Sequence, residues 1–80
     1  MGPEYKFKGR TYKTVSGLSK ALFADSGCDS HSMVDKNRRI TCTIGRGTEQ
    51  RTVAVYAVSP PKYGEAMTVT RLPMTTVKLP

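Results

Sequence analysis

The sequence contains no tryptophan, a single histidine, two cysteines and few acidic residues. These numbers leave little for a catalytic centre, because a nucleophile needs a base and an orienting group within reach. A structural zinc site usually needs two paired clusters of ligands, and Cys28, His31 and Cys42 supply only one close pair. We therefore expect a protein that is not an enzyme and that uses no metal or other cofactor.

Long apolar runs are also missing. No segment approaches the ~18 consecutive apolar residues of a membrane-spanning helix, and the first residues lack the apolar stretch of a secretory signal. Small secreted proteins normally carry several disulfides, whereas this chain has only Cys28 and Cys42. We expect a cytoplasmic protein with no membrane partner, whose reduced cysteines act as small hydrophobic residues. The sequence leaves open whether the two cysteines pair.

The excess of basic residues is the strongest global feature. Thirteen lysines and arginines stand against six aspartates and glutamates, which gives a formal net charge of +7. Such a surplus creates a positive field that attracts anionic partners and speeds encounter with them. Nucleic acid, with duplex DNA favoured, is the first partner expected, and an acidic host protein is the alternative. We expect the chain to be a monomer or a weak homodimer.

The first part of the chain predicts a β-hairpin followed by a helix. Aromatic and basic residues alternate over residues 5–14, which is the period of a half-buried hairpin. The candidates for its core face are Tyr5, Phe7 and Tyr12. Over residues 15–24 the apolar residues fall at helical spacing, and Thr14 or Ser16 offers an N-cap oxygen. Gly27 can end this helix because glycine readily adopts a positive φ.

The second part predicts a short helix and more strands. The second helix runs from Ser30 to about Asn37, although its apolar content is small. Residues 38–58 alternate in two runs joined by a glycine-containing basic segment, which predicts a β-hairpin with a mobile tip. A further strand is expected over Ala66 to Leu72, and Met74 to Leu79 forms either a short edge strand or a loose tail.

These elements predict a small single α+β domain covering residues 1–80. It has an N-terminal β-hairpin, one or two short helices, then an antiparallel β-hairpin and a C-terminal strand. The ends, residues 1–4 and 73–80, are candidates for loose segments.

The order helix, turn, helix, hairpin matches the second half of a winged helix-turn-helix. In this interpretation the second helix enters the major groove of DNA and the hairpin tip is the wing. The expected nucleic-acid-binding residues are Ser30, His31, Ser32, Lys36, Asn37, Arg38, Arg39, Arg46, Arg51, Lys8 and Arg10. Arg38 and Arg39 would contact phosphates, and Arg46 would reach the backbone or minor groove. The alternative is a hairpin-helix-hairpin domain whose basic residues are merely solvated.

Residues 7–22 carry a resemblance to a known class of module. The segment Phe7-Lys8-Gly9-Arg10-Thr11-Tyr12-Lys13-Thr14-Val15-Ser16-Gly17-Leu18-Ser19-Lys20-Ala21-Leu22 resembles the hairpin-then-helix modules of phage homing endonucleases and related mobile-element proteins. The shared features are a short basic strand, a hydroxyl-rich helix start and an aliphatic-alanine helix. Small excisionase-like winged helix-turn-helix proteins are a second, equally general resemblance. Both imply DNA binding by a small regulator or accessory protein of phage or mobile-element type.

Two other functions remain open from the sequence. A small phage-type protein could bind and inhibit a host protein or enzyme, using open hairpin edges to pair with its sheet. An RNA-binding domain could stack bases on aromatic residues of the strands, for which the candidates are Tyr5, Phe7, Tyr12 and Tyr56. The DNA-binding hypothesis depends on the cations gathering on one surface. A continuous positive stripe joining residues 36–39 with Arg46 and Arg51 would favour nucleic acid over the other partners.

Overall fold

One helix and six strands make up residues 4–74, the part of the chain that the computed structural model describes. The strands are β1 (Tyr5–Phe7), β2 (Arg10–Tyr12), β3 (Ser30–His31), β4 (Arg39–Ile44), β5 (Arg51–Val58) and β6 (Met67–Arg71). The helix α1 spans Val15–Ser26, and one 3₁₀ turn, Gly47–Glu49, lies between β4 and β5. The predicted α+β class, N-terminal hairpin, central hairpin and C-terminal strand are confirmed. The segment predicted beyond Met74 lies outside the described residues.

All six strands belong to one sheet in the order β2-β1-β6-β5-β4-β3. Every neighbouring pair is antiparallel except β1 and β6, which run parallel with Lys6 opposite Thr68. A parallel pair needs a long crossover, and here the crossover is everything from β2 to β5. The first and last described strands are therefore neighbours inside the sheet.

The helix α1 begins and ends where its capping residues predict. Thr14 is the N-cap, and its hydroxyl oxygen accepts a hydrogen bond from the backbone N–H of Gly17 at 3.0 Å. Gly27 follows the last turn with a φ of 74°, and its N–H bonds to the carbonyl of Phe23. Leu18 and Leu22, four residues apart, both face the sheet and are fully buried. Among the described residues no helix is long and apolar enough to cross a membrane.

The core lies between α1 and one face of the sheet. Tyr5 and Phe7 are buried and Tyr12 packs against them, which confirms the predicted core face of the first hairpin. The rings of Phe7 and Tyr56 meet edge to face with their centroids 5.6 Å apart. The remaining buried core residues are Leu18, Leu22, Cys28, Ile40, Cys42, Ala54, Val58 and Val69. The large aromatic residues of the strands thus all serve the helix-facing side.

The predicted second helix, Ser30 to Asn37, is wrong. Ser30 and His31 form the edge strand β3, and the chain then turns into β4. A helix here could bury little, because its only large apolar residues are Met33, which is exposed, and Val34. Instead the carboxylate of Asp35 accepts hydrogen bonds from the backbone N–H groups of Asn37 and Arg39, which closes a turn. The winged helix-turn-helix interpretation therefore has no recognition helix.

Gly45, directly after β4, provides a test of the hairpin connection. It has a φ of 87°, and a Cβ added there would lie 2.7 Å from the backbone oxygen of Glu49. Gly9 has a similar φ of 79°, but a Cβ there would meet nothing within 4 Å. Gly9→Ala should cost about 1–2 kcal/mol from the left-handed backbone alone. Gly45→Ala should lower the free energy of unfolding by more, as measured by urea denaturation. Equal costs for the two variants would contradict the close approach.

Candidate nucleic-acid interface

Few basic side chains of the structure are neutralised by carboxylates. Lys8 and Arg71 both pair with Asp25. No other lysine or arginine between residues 4 and 74 forms an ion pair. Most of the positive charge is therefore available to a partner outside the chain.

Asp25, in the last turn of α1, joins the helix to three parts of the sheet. Its Oδ2 accepts a hydrogen bond from the Tyr56 hydroxyl at 2.7 Å and lies 3.3 Å from Nη1 of Arg71. Its Oδ1 pairs with Nζ of Lys8, which follows β1. Nη1 of Arg71 also donates to the backbone carbonyl of Asp25 at 3.1 Å. Lys8, a predicted nucleic-acid-binding residue, is thus engaged in holding the fold.

These contacts control the ionisation of the cluster. Burial raises the pKa of Asp25, but the hydrogen bonds from Lys8 and Tyr56 and the charges of Lys8 and Arg71 outweigh it. The pKa of Asp25 therefore lies below its ordinary value, and the side chain is a carboxylate at neutral pH. Burial, together with the hydrogen bond to this carboxylate, raises the pKa of Tyr56.

His31 faces the helix and is not placed to enter a DNA groove. Its Nδ1 lies 2.6 Å from the carbonyl oxygen of Ser32, and its Nε2 lies 2.6 Å from the hydroxyl oxygen of Ser19. Because a carbonyl only accepts, Nδ1 donates to Ser32, and Nε2 is hydrogen-bonded to the Ser19 hydroxyl. The ring also contacts Phe23, with centroids 5.6 Å apart. Because Ser19 lies in α1 and His31 in β3, this hydrogen bond anchors β3 to α1.

Among the other residues of the 30–39 segment, some make hydrogen bonds within the fold and others are exposed to solvent. The Ser32 hydroxyl accepts a hydrogen bond from the backbone N–H of Thr41 at 3.0 Å. Arg38, with a φ of 60°, donates from Nη2 to the carbonyl of Ser59 at 2.8 Å and to Sδ of Met67 at 3.1 Å. These bonds hold the Arg38 guanidinium against the end of β5. Lys36 and Asn37 are exposed in the turn before β4.

The remaining basic candidates lie away from that turn. Arg46 and Arg51 are exposed at the tip of the β4–β5 hairpin, and Arg10 is exposed on the edge strand β2. β4 separates the tip from residues 36–39, and from Arg39 to Ile44 it spans about 17 Å at ~3.4 Å per residue. The two cationic groups expected to be continuous therefore lie at opposite ends of the hairpin.

The aromatic residues that were candidates for base stacking are part of the hydrophobic core or pack against it. Tyr5, Phe7 and Tyr56 are 6%, 4% and 0% exposed, and Tyr12 packs against the same cluster. These rings face α1 and are not available to stack on bases. Tyr63, in the β5–β6 loop, is fully exposed. A single tyrosine among loop residues carries no periodic signal, so the sequence did not indicate Tyr63.

The sheet has a second face, opposite α1, which we call the open face. Residues paired directly across neighbouring strands share a face, and residues alternate along a strand. Because Phe7, Tyr56 and Cys42 face the helix, their strand neighbours lie on the open face. Its members are Lys6, Thr11, Ser30, Arg39, Thr41, Thr43, Thr52, Val55, Ala57, Thr68 and Thr70. Hydroxyl side chains and two cations make up most of this surface, and none of these members is acidic. Glu4, which directly precedes β1, is an acidic residue at its margin.

The two cysteines are buried neighbours and carry no disulfide. Burial, together with the adjacent Cys28 thiol, raises the pKa of Cys42 to about 12, so this thiol is protonated at neutral pH. Within residues 4–74 no group of three histidine, cysteine or acidic side chains is arranged to hold a metal ion.

Asp25→Asn should show how much stability the carboxylate provides. At neutral pH we expect a loss of about 2 kcal/mol, because the bond from the buried Tyr56 hydroxyl no longer ends on a charge. Because the pKa of Asp25 is lower in the folded than in the unfolded protein, its carboxylate stabilises the fold at pH values above the ordinary pKa of about 4. This stabilisation is lost as the pH falls through the lowered pKa. Urea unfolding at neutral and acidic pH should therefore show the gap between wild type and variant closing in acid.

Glu65→Gln is the control for that experiment, because Glu65 is exposed and forms no ion pair. It should match wild type at both pH values. A gap between Asp25→Asn and wild type that is unchanged in acid would contradict the role given to the carboxylate.

No known protein was found to match this chain, whether among protein-family models, curated proteins or solved structures.

Proposed function

We propose that this chain is a nucleic-acid-binding module whose partner is duplex DNA, bound mainly through the phosphate backbone. The observation that carries the proposal is the supply of unpaired cations: apart from Lys8 and Arg71, no basic residue between positions 4 and 74 is paired with a carboxylate. A protein that neutralises phosphates with lysine and arginine releases the counterions condensed on DNA, which drives binding. A cytoplasmic location, where such a partner is available, is part of this proposal.

The mode of binding follows from the missing second helix. Base readout in the major groove normally uses an inserted helix or β-ribbon. Residues 30–37 form an edge strand and a turn, and His31 faces α1. The β4–β5 hairpin is held within the six-stranded sheet, because β5 also pairs with β6. Backbone contacts position a protein on DNA without reading its sequence. An accessory or architectural role, of the kind that the resemblance to phage and mobile-element modules implies, suits such binding better than operator recognition.

The salt dependence of binding tests the proposal. We expect fluorescence anisotropy to show binding of a labelled duplex of about two helical turns at low salt, with little difference between unrelated sequences. The logarithm of the association constant should fall linearly with the logarithm of the salt concentration, by about 0.9 per phosphate contacted. Several contacts therefore predict a steep slope.

Binding that does not change across the salt titration, or no binding of any duplex at low salt, would exclude this function. A strong preference for one sequence would keep DNA binding but contradict backbone recognition.

A protein partner is the second candidate, and one observation favours it. The cations of residues 36–39 and of the hairpin tip lie at opposite ends of β4, so they form two separate groups. In addition, among the strands of residues 4–74, β2 has a neighbour on one side only, which leaves that edge of the described sheet open. If this reading is correct, the chain retains one protein in stoichiometric amounts from nuclease-treated lysate and shows no salt-dependent duplex binding.

A further inference from the structure

We propose that the open face is the surface that lies against the duplex, with Lys6, Arg39 and the threonine hydroxyls contacting phosphates and sugars. This inference rests on the proposed function and specifies where and how the nucleic acid is bound.

The charges on the open face fit a polyanion. Lys6 is exposed in β1. Arg39 is half-buried in β4, and its Nη1 donates to the carbonyl of Asn37 at 3.1 Å, so its other guanidinium nitrogens are the ones left for a phosphate. No strand residue of this face is acidic. The carboxylate of Asp25 lies on the opposite side of the sheet, in α1, and Asp35 is used by the turn before β4. Glu65, at the margin of the face, shares a hollow with Lys62. Glu4 stands directly before β1, at the same margin as Lys6. Among the strands themselves a duplex placed here would meet cations without an opposing carboxylate.

The hydroxyl groups of the open face are also free to donate. Among its threonines, Thr43 alone has a hydroxyl with a hydrogen-bond partner in the described chain, Nε2 of Gln50 at 3.4 Å. Thr11, Thr68 and Thr70 are exposed. Threonine hydroxyls are common donors to phosphate oxygens and sugars, which fix the register of a protein on DNA without reading bases.

The register places these groups side by side. Lys6 stands opposite Thr11 on β2 and opposite Thr68 on β6. Arg39 stands opposite Ala57, whose other neighbour is Thr70. Lys6 and Arg39 are separated by three strand spacings and two residues of offset, about 16 Å between Cα atoms. The two cations therefore reach different phosphates, with hydroxyl donors between them.

The distribution of aromatic residues favours a duplex over a single strand. Single-stranded nucleic acids are held largely by stacking bases on exposed aromatic rings. The open face contains no aromatic residue, because Tyr5, Phe7 and Tyr56 all face α1. A stacked duplex needs no such platform. The same composition disfavours a protein partner, since the centres of protein interfaces are apolar and rich in aromatic residues, whereas Val55 here is already buried.

The test compares one charge reversal on each side of the sheet. Lys6→Glu changes an exposed lysine of the open face, and Lys20→Glu makes the same change at an exposed position of α1. Both variants alter the net charge equally, so long-range attraction falls equally. If the open face binds the duplex, Lys6→Glu weakens duplex binding by about tenfold more than Lys20→Glu and lowers the salt slope by about one. Thermal unfolding of both variants establishes that they remain folded.

Two further variants separate backbone contact from stacking. Thr70→Val removes one exposed hydroxyl at nearly constant shape, and we expect a loss of duplex affinity of a few fold. Tyr63→Ala removes the fully exposed ring and should leave duplex affinity unchanged. A single strand bound more tightly than the duplex, together with a loss on Tyr63→Ala, would overturn the inference in favour of stacking.

The outcomes distinguish failure of this inference from failure of the proposed function. A wild-type chain that binds no duplex rejects both. Salt-dependent duplex binding that Lys6→Glu and Lys20→Glu weaken equally keeps the proposed function and rejects the open face. If Lys20→Glu weakens duplex binding more than Lys6→Glu does, the DNA lies on the helix side of the sheet. This result also keeps the proposed function and rejects the open face.

Discussion

A single helix must supply the whole cover for a six-stranded sheet, and this limit determines most of the structure. At twelve residues α1 is about 18 Å long, whereas six strands span about 24 Å. Apart from Val55, the large side chains that the fold buries therefore lie between α1 and the sheet, as Phe7, Leu22 and Tyr56 show. In residues 4–74 no second helix or sheet covers the opposite face. Its threonines suit a strand that is covered on one side only.

The same limit explains why the helix is tied down by a carboxylate. Apolar contact with α1 comes mainly from Leu18 and Leu22, so its C-terminal end needs another attachment. Asp25 provides it, through Tyr56 from beneath and Arg71 and Lys8 from the side. These three contacts to one partly buried carboxylate also specify how the helix is rotated over the sheet. Lys8 and Arg71 therefore stabilise the fold, whereas the other basic residues of the described chain form no ion pair within it.

The sequence predicted those helices and strands whose formation depends on residues close together in the chain. Thr14 and Gly27 delimited α1, and alternation identified β4 and β5. The prediction was wrong between Ser30 and Asn37. Ser30 resembles a helix N-cap residue, but the Asp35 carboxylate accepts hydrogen bonds from the backbone of Asn37 and Arg39 and forms a turn. There the side-chain bonds compete directly with the helix for backbone N–H groups.

Features that join distant residues were beyond the sequence. Nothing near Asp25 indicates that Lys8, Tyr56 and Arg71 meet there. The open face likewise depends on the order of the strands: Lys6 and Thr68 become neighbours only because β6 inserts between β1 and β5. Alternation predicts that a strand has two sides, but it does not say which residues of other strands complete each side.

The parallel pairing of β1 with β6 has a consequence for how the chain matures. During synthesis β1 emerges first and can pair with β2, but its other neighbour is the last strand of the described chain. Until β6 emerges, the first hairpin has no strand-to-strand link to the β3–β4–β5 half of the sheet. Completion of the sheet is therefore a late, long-range event. A chain shortened before Met67 would leave two separate pieces of sheet joined only through α1.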